Sequence, residues 1–244
     1  MNDLDRTFGS AAVSPEARRQ LITDVFRRVA PRYDLMNDLM SMGLHRLWKR
    51  RLRRATSPGR GERILDLAGG TGDVARLLTA RGAVTVVCDP SVEMMHEGVA
   101  RDLAGIHWLA GRAEALPVGD DALDAVTIAF GIRNVTRLSE ALREIRRVLK
   151  PGGRFVCLEF SRPWAPIRPA YDLFSRTVIP RLGAWVAREP SAYSYLIESI
   201  RRFPAQEEMK DLIAQAGFER VRYQNLSMGI VCIHTGVKPP HETD

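Results

Sequence analysis

The sequence predicts an α/β fold: a doubly wound, mostly parallel sheet of seven strands that ends in an antiparallel hairpin. Between residues 64 and 160, short apolar runs alternate with helical segments, which is typical of parallel strands joined by helical crossovers. Two more apolar runs, residues 221–226 and 230–236, are separated by too few residues for a crossover. They are therefore expected to pair antiparallel.

The N-terminal part is predicted to be helical. Residues 1–14 carry no apolar segment of the kind found in secretory signals, and we expect them to form a flexible tail. A single domain then covers residues 15–244. Its first part, residues 15–57, is predicted to be a helical cap that starts near Pro15 and is interrupted at Pro31.

The remaining elements follow in order along the chain. Strands are predicted at residues 64–67, 84–88, 106–109, 125–130 and 155–160, and helices at residues 74–80, 92–103 and 138–149. The Lys-Pro-Gly-Gly run that begins at Lys150 should end the last of these helices. Residues 162–209 are too long for an ordinary connection and hold seven aromatic residues, so we expect a lid or a substrate wall there.

A glycine-rich turn follows the first predicted strand. Gly69, Gly70 and Gly72 allow backbone N–H groups to approach a ligand closely, and Asp66 lies just before them. Asp89 follows the next strand, where an open α/β sheet places a carboxylate against ribose hydroxyls. The pattern predicts a nucleotide-like cofactor.

Two cofactors fit this pattern. The spacing Gly70-x-Gly72-x-x-Ala75 satisfies the loose dinucleotide fingerprint. However, Asp66 and Asp73 place two negative charges where a pyrophosphate would need positive or neutral surroundings. S-adenosylmethionine has no phosphate, and its sulfonium and ammonium groups suit carboxylates. The charges therefore favour S-adenosylmethionine over a nicotinamide cofactor.

Cysteine and histidine usage limits the other classes of site. The three cysteines lie in apolar, strand-like runs without a Cys-x-x-Cys pair, which indicates reduced thiols and a cytoplasmic protein. The five histidines show no ligand spacing, so we expect no metal. No stretch is long and apolar enough to span a bilayer.

The positive charge is concentrated at the N-terminal end. Residues 1–60 hold 13 Lys and Arg but only 6 Asp and Glu, which accounts for the whole net charge of +7. The excess peaks in residues 44–54, where arginines are interleaved with Leu44, Leu47, Trp48 and Leu52. This segment is either an ordinary docked helix with a solvated face or a surface that attracts anionic lipid headgroups. No recognisable nucleic-acid motif accompanies it.

Several stretches resemble one enzyme family. The segment YDLMNDLMSMGLHRLW, residues 33–48, resembles the N-terminal signature of the ubiquinone/menaquinone biosynthesis C-methyltransferases. The stretches RAEALP (residues 112–117), IAFGIRNV (128–135) and RVLKPGGRFVCLEFSRP (147–163) are similar to the same family. So are residues 191–209 and 233–239. The resemblance therefore covers nearly the whole chain, from residue 17 to residue 239.

The resemblance implies a class I methyltransferase fold, S-adenosylmethionine as the methyl donor, and ring-carbon methylation of a polyprenylated benzoquinol or naphthoquinol. It assigns cofactor contacts to Thr71, Asp89, Arg112, Ala113 and Ala129. Two of these depart from the family pattern. Arg112 stands where the family usually has Asn or Asp, and arginine cannot accept a hydrogen bond from adenine. Ala129 stands where the family often has a serine, so a hydroxyl contact is lost.

Three residues are candidates for the chemistry. Arg133 and Asn134 follow the fourth predicted strand, at the sheet edge where ligands bind, and a permanently charged guanidinium would stabilise a phenolate. Tyr33 would pass a proton directly or through water. Structural roles stay open at this point: an ion pair for Arg133, and helix packing for Tyr33.

The acceptor also predicts where the protein works. A polyprenyl tail partitions into lipid, so we expect peripheral binding to the anionic inner face of a membrane from the cytoplasmic side, without nucleic acid. A homodimer is an open alternative to a monomer. Two other functions stay open: a methyltransferase for a sterol-like or polyketide-like acceptor, and a non-catalytic cofactor-binding member of a quinone-synthesis complex.

Overall fold

The computed structural model describes residues 7–8, 11–30, 35, 37–38, 41–175, 177 and 190–240. Its strands are β1 (Thr7–Phe8), β2 (Ala11–Ala12), β3 (Arg63–Leu67), β4 (Val84–Asp89), β5 (Ile106–Ala110), β6 (Leu123–Ala129), β7 (Leu149–Phe160), β8 (Glu219–Leu226) and β9 (Val231–Val237). The last seven form one sheet in the order β5-β4-β3-β6-β7-β9-β8.

The pairing directions confirm the predicted fold class. From β5 through β4, β3 and β6 to β7, each strand is parallel to the next in the sheet. Strand β9 runs antiparallel to both β7 and β8, and it therefore inserts between them as the C-terminal hairpin. The order reverses at β3, where the chain moves first to β4 and later to β6. A parallel α/β sheet opens a crevice at such a switch point, outside the carboxyl ends of its strands.

Helices cover the sheet and its carboxyl edge. They are α1 (Pro15–Val29), α2 (Leu44–Thr56), α3 (Asp73–Thr79), α4 (Val92–Val99), α5 (Leu138–Val148), α6 (residues 168–175), α7 (Pro190–Arg202) and α8 (Gln206–Gln215). Ser14 caps α1 by accepting the Ala17 N–H, and Ser91 caps α4 by accepting the Met94 N–H. Both serines satisfy helix N–H groups that have no partner inside the helix.

The core lies in two layers because consecutive strand residues point to opposite faces of the sheet. In β7, Phe155 and Cys157 contact one layer, which is completed by α5 and α8. Val156 and Leu158 contact the other layer, which includes residues of α2 and α3. Both faces are therefore buried, as a doubly wound sheet requires.

Two predicted boundaries were wrong. Helix α4 ends at Val99 rather than at residue 103, because Asp102 (φ +47°) and Gly105 (φ +75°) adopt left-handed backbone that an α-helix does not contain. Strand β7 starts at Leu149 rather than at residue 155. Its Gly152 N–H donates to the Lys238 carbonyl, and the Lys238 N–H donates to the Gly153 carbonyl, so the glycine run stays paired to the end of β9.

Helix α2 uses its apolar stripe for packing. Trp48 and Leu52 are buried against the sheet, and the Trp48 ring lies 6.1 Å from Phe130 and 6.3 Å from Phe160. The arginines of residues 50, 51 and 54 point to the opposite, exposed side. Most apolar residues of α2 therefore pack against the sheet, as in an ordinary docked helix, and its basic face is exposed to solvent.

The structure describes part of each segment that the sequence predicts as a tail, a cap or a lid. Within the tail, β1 and β2 form a short antiparallel pair, and the mobility of residues 1–14 stays a prediction. Helices α1 and α2 fall within the predicted cap of residues 15–57. Helices α6 and α7 fall within the predicted lid of residues 162–209, whose last residues belong to α8. No helix in the described ranges is long and apolar enough to cross a membrane.

Candidate functional site

The glycine turn between β3 and α3 is shaped by close approaches. Gly70 and Gly72 have φ angles of +54° and +81°, which side-chain-bearing residues rarely adopt. A Cβ at Gly69 would lie 2.8 Å from a carboxylate oxygen of Asp66, and one at Gly72 would lie 2.9 Å from the Trp108 ring. The turn therefore folds tightly over Asp66 and leaves the Gly70 backbone facing the crevice.

Asp89 closes this turn from the end of β4. Its Oδ2 accepts the Gly70 N–H at 2.9 Å, and its Oδ1 accepts the Ser91 N–H at 2.8 Å. Burial raises the pKa of the Asp89 carboxyl to about 6, and these two N–H donors oppose that shift. Each carboxylate oxygen has a second lone pair, so Asp89 is able to accept two further hydrogen bonds from a ligand.

A cavity of about 520 Å³ opens beside Gly70 and Asp89. The ends of β3 and β6 and the start of α4 form its floor, and helix α1 covers it. The covering side chains are Glu16, Arg19, Gln20, Ile22, Thr23 and Phe26. Arg27 fixes α1 to α4 through a 2.9 Å ion pair with Glu93. The sequence placed α1 in a cap but gave no sign that it forms a wall of this cavity.

The cavity fits an adenosyl group without a pyrophosphate. Asp89 offers carboxylate lone pairs for ribose hydroxyls, and Met94 and Ala113 add apolar surface for a base. The positive end of helix α3 is already matched by Asp73, whose carboxylate is itself paired with Lys49 at 3.1 Å and Arg101 at 3.7 Å. This end of the helix therefore carries no unmatched charge for a phosphate.

Asp66 does not line this cavity, in contrast to its predicted role as a cofactor contact. It is 1% exposed; its Oδ1 accepts the Thr127 hydroxyl at 3.0 Å and its Oδ2 accepts the Ala75 N–H at 3.0 Å. Burial raises the pKa of the Asp66 carboxyl to about 7, against these two hydrogen bonds. Asp66 supports the turn from below.

Asp73 is also not a free charge. Burial alone would raise its pKa, but Lys49 and Arg101 hold the pKa of the Asp73 carboxyl below its usual value. The two acids that distinguished the cofactors in the sequence are therefore engaged by the protein itself, one beneath the turn and one in ion pairs. The fit to S-adenosylmethionine depends instead on Asp89 and on the neutralised helix end.

The other predicted cofactor residues divide into two groups. Arg112 and Ala113 line the cavity, with Arg112 exposed at its rim and Ala113 buried. Gly69, Thr71, Gly72 and Ala129 are not part of its lining, although Gly69, Thr71 and Gly72 shape the turn, and Phe130, next to Ala129, does line it.

Arg133 lies in a buried ion pair that the sequence left as an alternative. Its Nη1 lies 2.6 Å from Oε1 of Glu159, and its guanidinium lies 5.5 Å from the centre of the Phe160 ring. The Nη1 group also donates to the Phe130 carbonyl, whereas Nε is buried without a partner among the described residues. Arg133 itself is not part of the cavity lining.

Asn134 does line the cavity, next to Gly131 and Val135. Its side-chain Oδ1 accepts the hydroxyl of Tyr195 at 2.8 Å, which joins the predicted lid to the end of β6. Of the three candidates for the chemistry, the structure therefore places Asn134 on the cavity and Arg133 directly behind it. Tyr33 lies outside the described residues.

Two further residues shape this edge and were missed. Glu159 is an acid in an otherwise apolar strand, and a buried acid needs a partner, so the sequence held a signal for it. Arg18 is 2% exposed, and its guanidinium donates to the carbonyls of Arg133, Asn134 and Val135. Nothing in the sequence near Arg18 indicated this contact with a loop more than 110 residues away.

No group of three His, Cys, Asp or Glu side chains in the part of the chain that the structure describes is placed to hold a metal ion. The absence of a metal stays a prediction from the sequence.

Comparisons with known proteins agree on the family. The sequence profile of the ubiE/COQ5 methyltransferase family matches residues 13–238. The ubiquinone/menaquinone biosynthesis C-methyltransferase UbiE of Rubrivivax gelatinosus is 58% identical over 96% of this chain and 94% of its own length. The human mitochondrial 2-methoxy-6-polyprenyl-1,4-benzoquinol methylase is 45% identical over 95% of this chain and 84% of its own length.

A solved structure confirms the fold. The S-adenosylmethionine-dependent methyltransferase of Thermotoga maritima described as a possible histamine N-methyltransferase superimposes with a TM-score of 0.65. It is 21% identical and covers 88% of this chain and 98% of its own length, so the likeness concerns the fold alone.

Proposed function

This chain belongs to the ubiE/COQ5 methyltransferase family, and we propose on that premise that it methylates a ring carbon of a polyprenylated quinol. It is an S-adenosylmethionine-dependent C-methyltransferase. Its relatives are named for both menaquinone and ubiquinone synthesis, so the acceptor is a naphthoquinol, a benzoquinol or both. Membership of an enzyme family argues against a purely non-catalytic role, and the named relatives argue against a sterol-like acceptor.

The reaction sets three requirements. Bound S-adenosylmethionine supplies an electrophilic methyl group. A neutral quinol is a poor carbon nucleophile, but loss of a phenolic proton moves negative charge onto the neighbouring ring carbon. That carbon would form a bond to the methyl carbon while the bond from the methyl carbon to sulfur breaks and a neutral thioether leaves, and the ring carbon would then lose its own proton so that the ring is aromatic again. The protein therefore has to align the ring, stabilise the phenolate and lead protons away.

One observation carries the proposal: Asp89 and Asn134 line the same cavity from the ends of two strands on either side of β3. Asp89 would hold the ribose hydroxyls of the donor, and the Gly70 N–H, which donates to Asp89 Oδ2, fixes the orientation of that carboxylate. Arg112 and Ala113 lie where the adenine would bind. Asn134 marks the end of the cavity where an acceptor would meet the donor.

Arg133 would act on the acceptor chiefly through its field. It is permanently charged, and Glu159 offsets much of that charge at long range. Its Nε has no protein partner among the described residues, but it is buried and Arg133 is not part of the cavity lining, so Arg133 would not contact the acceptor directly. Tyr33 is proposed as the proton carrier on the strength of the family signature alone.

The acceptor is tested with purified protein, S-adenosylmethionine, and short-tailed demethylated naphthoquinol and benzoquinol. Carbon methylation replaces one ring hydrogen, so we expect the product to be about 14 mass units heavier than an unlabelled quinol and about 13 heavier than a quinol that carries deuterium at that ring position. Loss of deuterium together with a gain of the methyl group shows carbon methylation, whereas a methyl gain with full retention shows oxygen methylation. Methylation of a sterol in preference to both quinols would overturn the proposal.

We also propose that the protein meets its substrate at a membrane surface. Helix α2 and Trp164 attach to the same turn: Trp48 Nε1 donates to the Ser227 hydroxyl at 2.9 Å, and the Trp164 N–H donates to the Met228 carbonyl at 3.0 Å. Leu47, Trp164 and Met228 are each more than half exposed. Apolar side chains and the basic face of α2 thus lie around one turn, which suits an anionic lipid surface.

This surface supports peripheral binding on the inner, cytoplasmic face of the membrane. The predicted lid of residues 162–209, which contributes Trp164, would form part of the entrance for the prenyl tail. A homodimer stays a proposal that sedimentation of the purified protein would test.

A further inference from the structure

Tyr195 connects the predicted lid to the catalytic edge of the sheet through one hydrogen bond. It is 5% exposed, and its hydroxyl donates to Oδ1 of Asn134 at 2.8 Å. The Phe8 ring stacks on the Tyr195 ring with centroids 4.7 Å apart and planes 14° apart. The ring is therefore held between Phe8 and its own helix, and the hydroxyl has a fixed direction.

In the structure, this hydrogen bond is made with one orientation of the Asn134 side chain, the one that turns Oδ1 towards Tyr195. A carboxamide has an oxygen that accepts and a nitrogen that donates, and the two groups differ little in shape. Because Tyr195 donates to Oδ1, the Nδ2 group is turned away from Tyr195. Within the described residues, no protein acceptor holds Nδ2, and Asn134 lines the cofactor cavity. The group that Asn134 offers to a ligand is therefore a donor.

The state of the Tyr195 hydroxyl supports this assignment. Burial raises the pKa of the Tyr195 phenol above its usual value, and Arg18 and Arg133 only partly oppose that shift. The hydroxyl therefore keeps its proton at neutral pH and donates it to Asn134 throughout the range in which the enzyme would work.

We propose that Tyr195 is a positioning residue for methyl transfer: its hydroxyl orients Asn134 so that Nδ2 donates to the phenolate oxygen of the quinol. The inference rests on the proposed function. As negative charge develops on that oxygen, a preoriented amide N–H stabilises it, whereas an amide oxygen in the same place would repel it. A residue of the lid thus helps to activate the acceptor without touching it.

Tyr195→Phe is the first test, since it removes the hydroxyl and retains the ring that packs on Phe8. We expect kcat to fall about five- to tenfold, the effect of one neutral hydrogen bond, with donor affinity unchanged. Tyr223→Phe is the matched control, because Tyr223 lies on β8 and takes no part in the cavity lining. An equal loss of donor affinity in calorimetry would mean that Tyr195 only supports folding, and would overturn the proposal.

A double-mutant cycle tests whether Tyr195 acts through Asn134. In an Asn134→Ala background there is no carboxamide to orient, so adding Tyr195→Phe should lower kcat by less than twofold. If the two substitutions instead multiply their effects, Tyr195 acts by another route and the proposal fails.

Side-chain amide resonances give a readout that does not depend on the acceptor. Asn134→Ala assigns the Asn134 Nδ2 pair by its disappearance from the ¹⁵N–¹H spectrum. Tyr195→Phe should shift that pair and Tyr223→Phe should not. An unmoved pair contradicts the orienting contact itself. If the pair shifts but the protein methylates no quinol, the contact between Tyr195 and Asn134 is supported and the proposed acceptor is refuted.

Discussion

Glu159 holds the guanidinium of Arg133 from the neighbouring strand, with 2.6 Å between Oε1 and Nη1, and its Oε2 accepts the Arg133 backbone N–H at 3.4 Å. Both side chains are almost completely buried. Burial raises the pKa of the Glu159 carboxyl, and the charge of Arg133 opposes that shift. The pair fixes the turn after β6 that carries Asn134, so the position of Asn134 on the cavity depends on a contact between this turn and β7.

Arg133→Ala is expected to lower kcat more than donor affinity, because Arg133 lies behind Asn134 rather than beside Asp89. The substitution also leaves the Glu159 carboxylate buried without its partner, which costs about 3–5 kcal/mol of stability. Measurements with Arg133→Met combined with Glu159→Gln, which leaves no unpaired charge, separate the two effects. If donor binding falls in proportion to kcat in that double variant, Arg133 serves the cofactor or the fold and not the acceptor.

Donor choice is tested by calorimetry with S-adenosylmethionine and with NADH. We expect binding of the first and none of the second. Asp89→Ala should weaken the binding of S-adenosylmethionine by about 1.5–3 kcal/mol, the range for a hydrogen bond to a charged group. Asp211→Ala is a suitable control, since Asp211 is an exposed acid on α8 and is not part of the cavity lining. An unchanged affinity in Asp89→Ala would place the ribose elsewhere.

Donor affinity should depend on pH through Asp89. Its carboxyl has a pKa of about 6 in the free protein, so it is largely ionised at pH 7.5 and largely protonated at pH 5. If binding needs the carboxylate, affinity is constant above pH 7 and falls about tenfold for each pH unit well below 6. Titrations from pH 5 to pH 8 measure this, and Asp89→Asn should remove the slope. A slope that persists in Asp89→Asn would assign the pH dependence to another group.

Gly98→Ala tests the support of the glycine turn. A Cβ at Gly98 would lie 2.1 Å from the Trp108 ring and 2.9 Å from the Thr71 carbonyl, and Trp108 also packs beneath Gly72. We expect a loss of about 1–3 kcal/mol in urea unfolding and weaker donor binding, because the displaced ring moves the turn. Gly119→Ala, where a Cβ would meet no atom within 4 Å, should change neither. Equal effects of the two substitutions would contradict the packing.

Membrane binding is tested on the basic face of α2. Charge reversal of Arg50, Arg51 and Arg54 should reduce co-sedimentation with anionic vesicles, since each basic contact contributes about 1 kcal/mol near such a surface. Added salt should weaken vesicle binding by the wild-type protein in the same way, and the protein should bind little to neutral vesicles. Turnover of a long-tailed quinol should fall while that of a water-soluble analogue is retained. An equal loss on both substrates would make the basic face purely structural.

The sequence by itself determined the fold class and predicted the candidate donor site beside Asp89. The alternation of apolar runs and helices follows from backbone periodicity, and the short gap before β9 leaves no room for a crossover, so both are local properties. The glycine turn and Asp89 are local as well, because a strand end fixes where its next residues lie. The start of β7 was predicted wrongly because it depends on pairing with a distant segment at Lys238.

Only the tertiary structure decided which charged groups are free. The sequence predicts that Asp66 contacts the cofactor and that the charge of Asp73 disfavours a pyrophosphate, yet Asp66 supports the turn through Thr127 and Asp73 pairs with Lys49. For Arg133 the sequence left open a role at the acceptor and a structural ion pair, and the structure pairs it with Glu159. The physical reason is the same in each case: a charge is matched through space, and the order of the strands, not the spacing along the chain, brings its partner within reach.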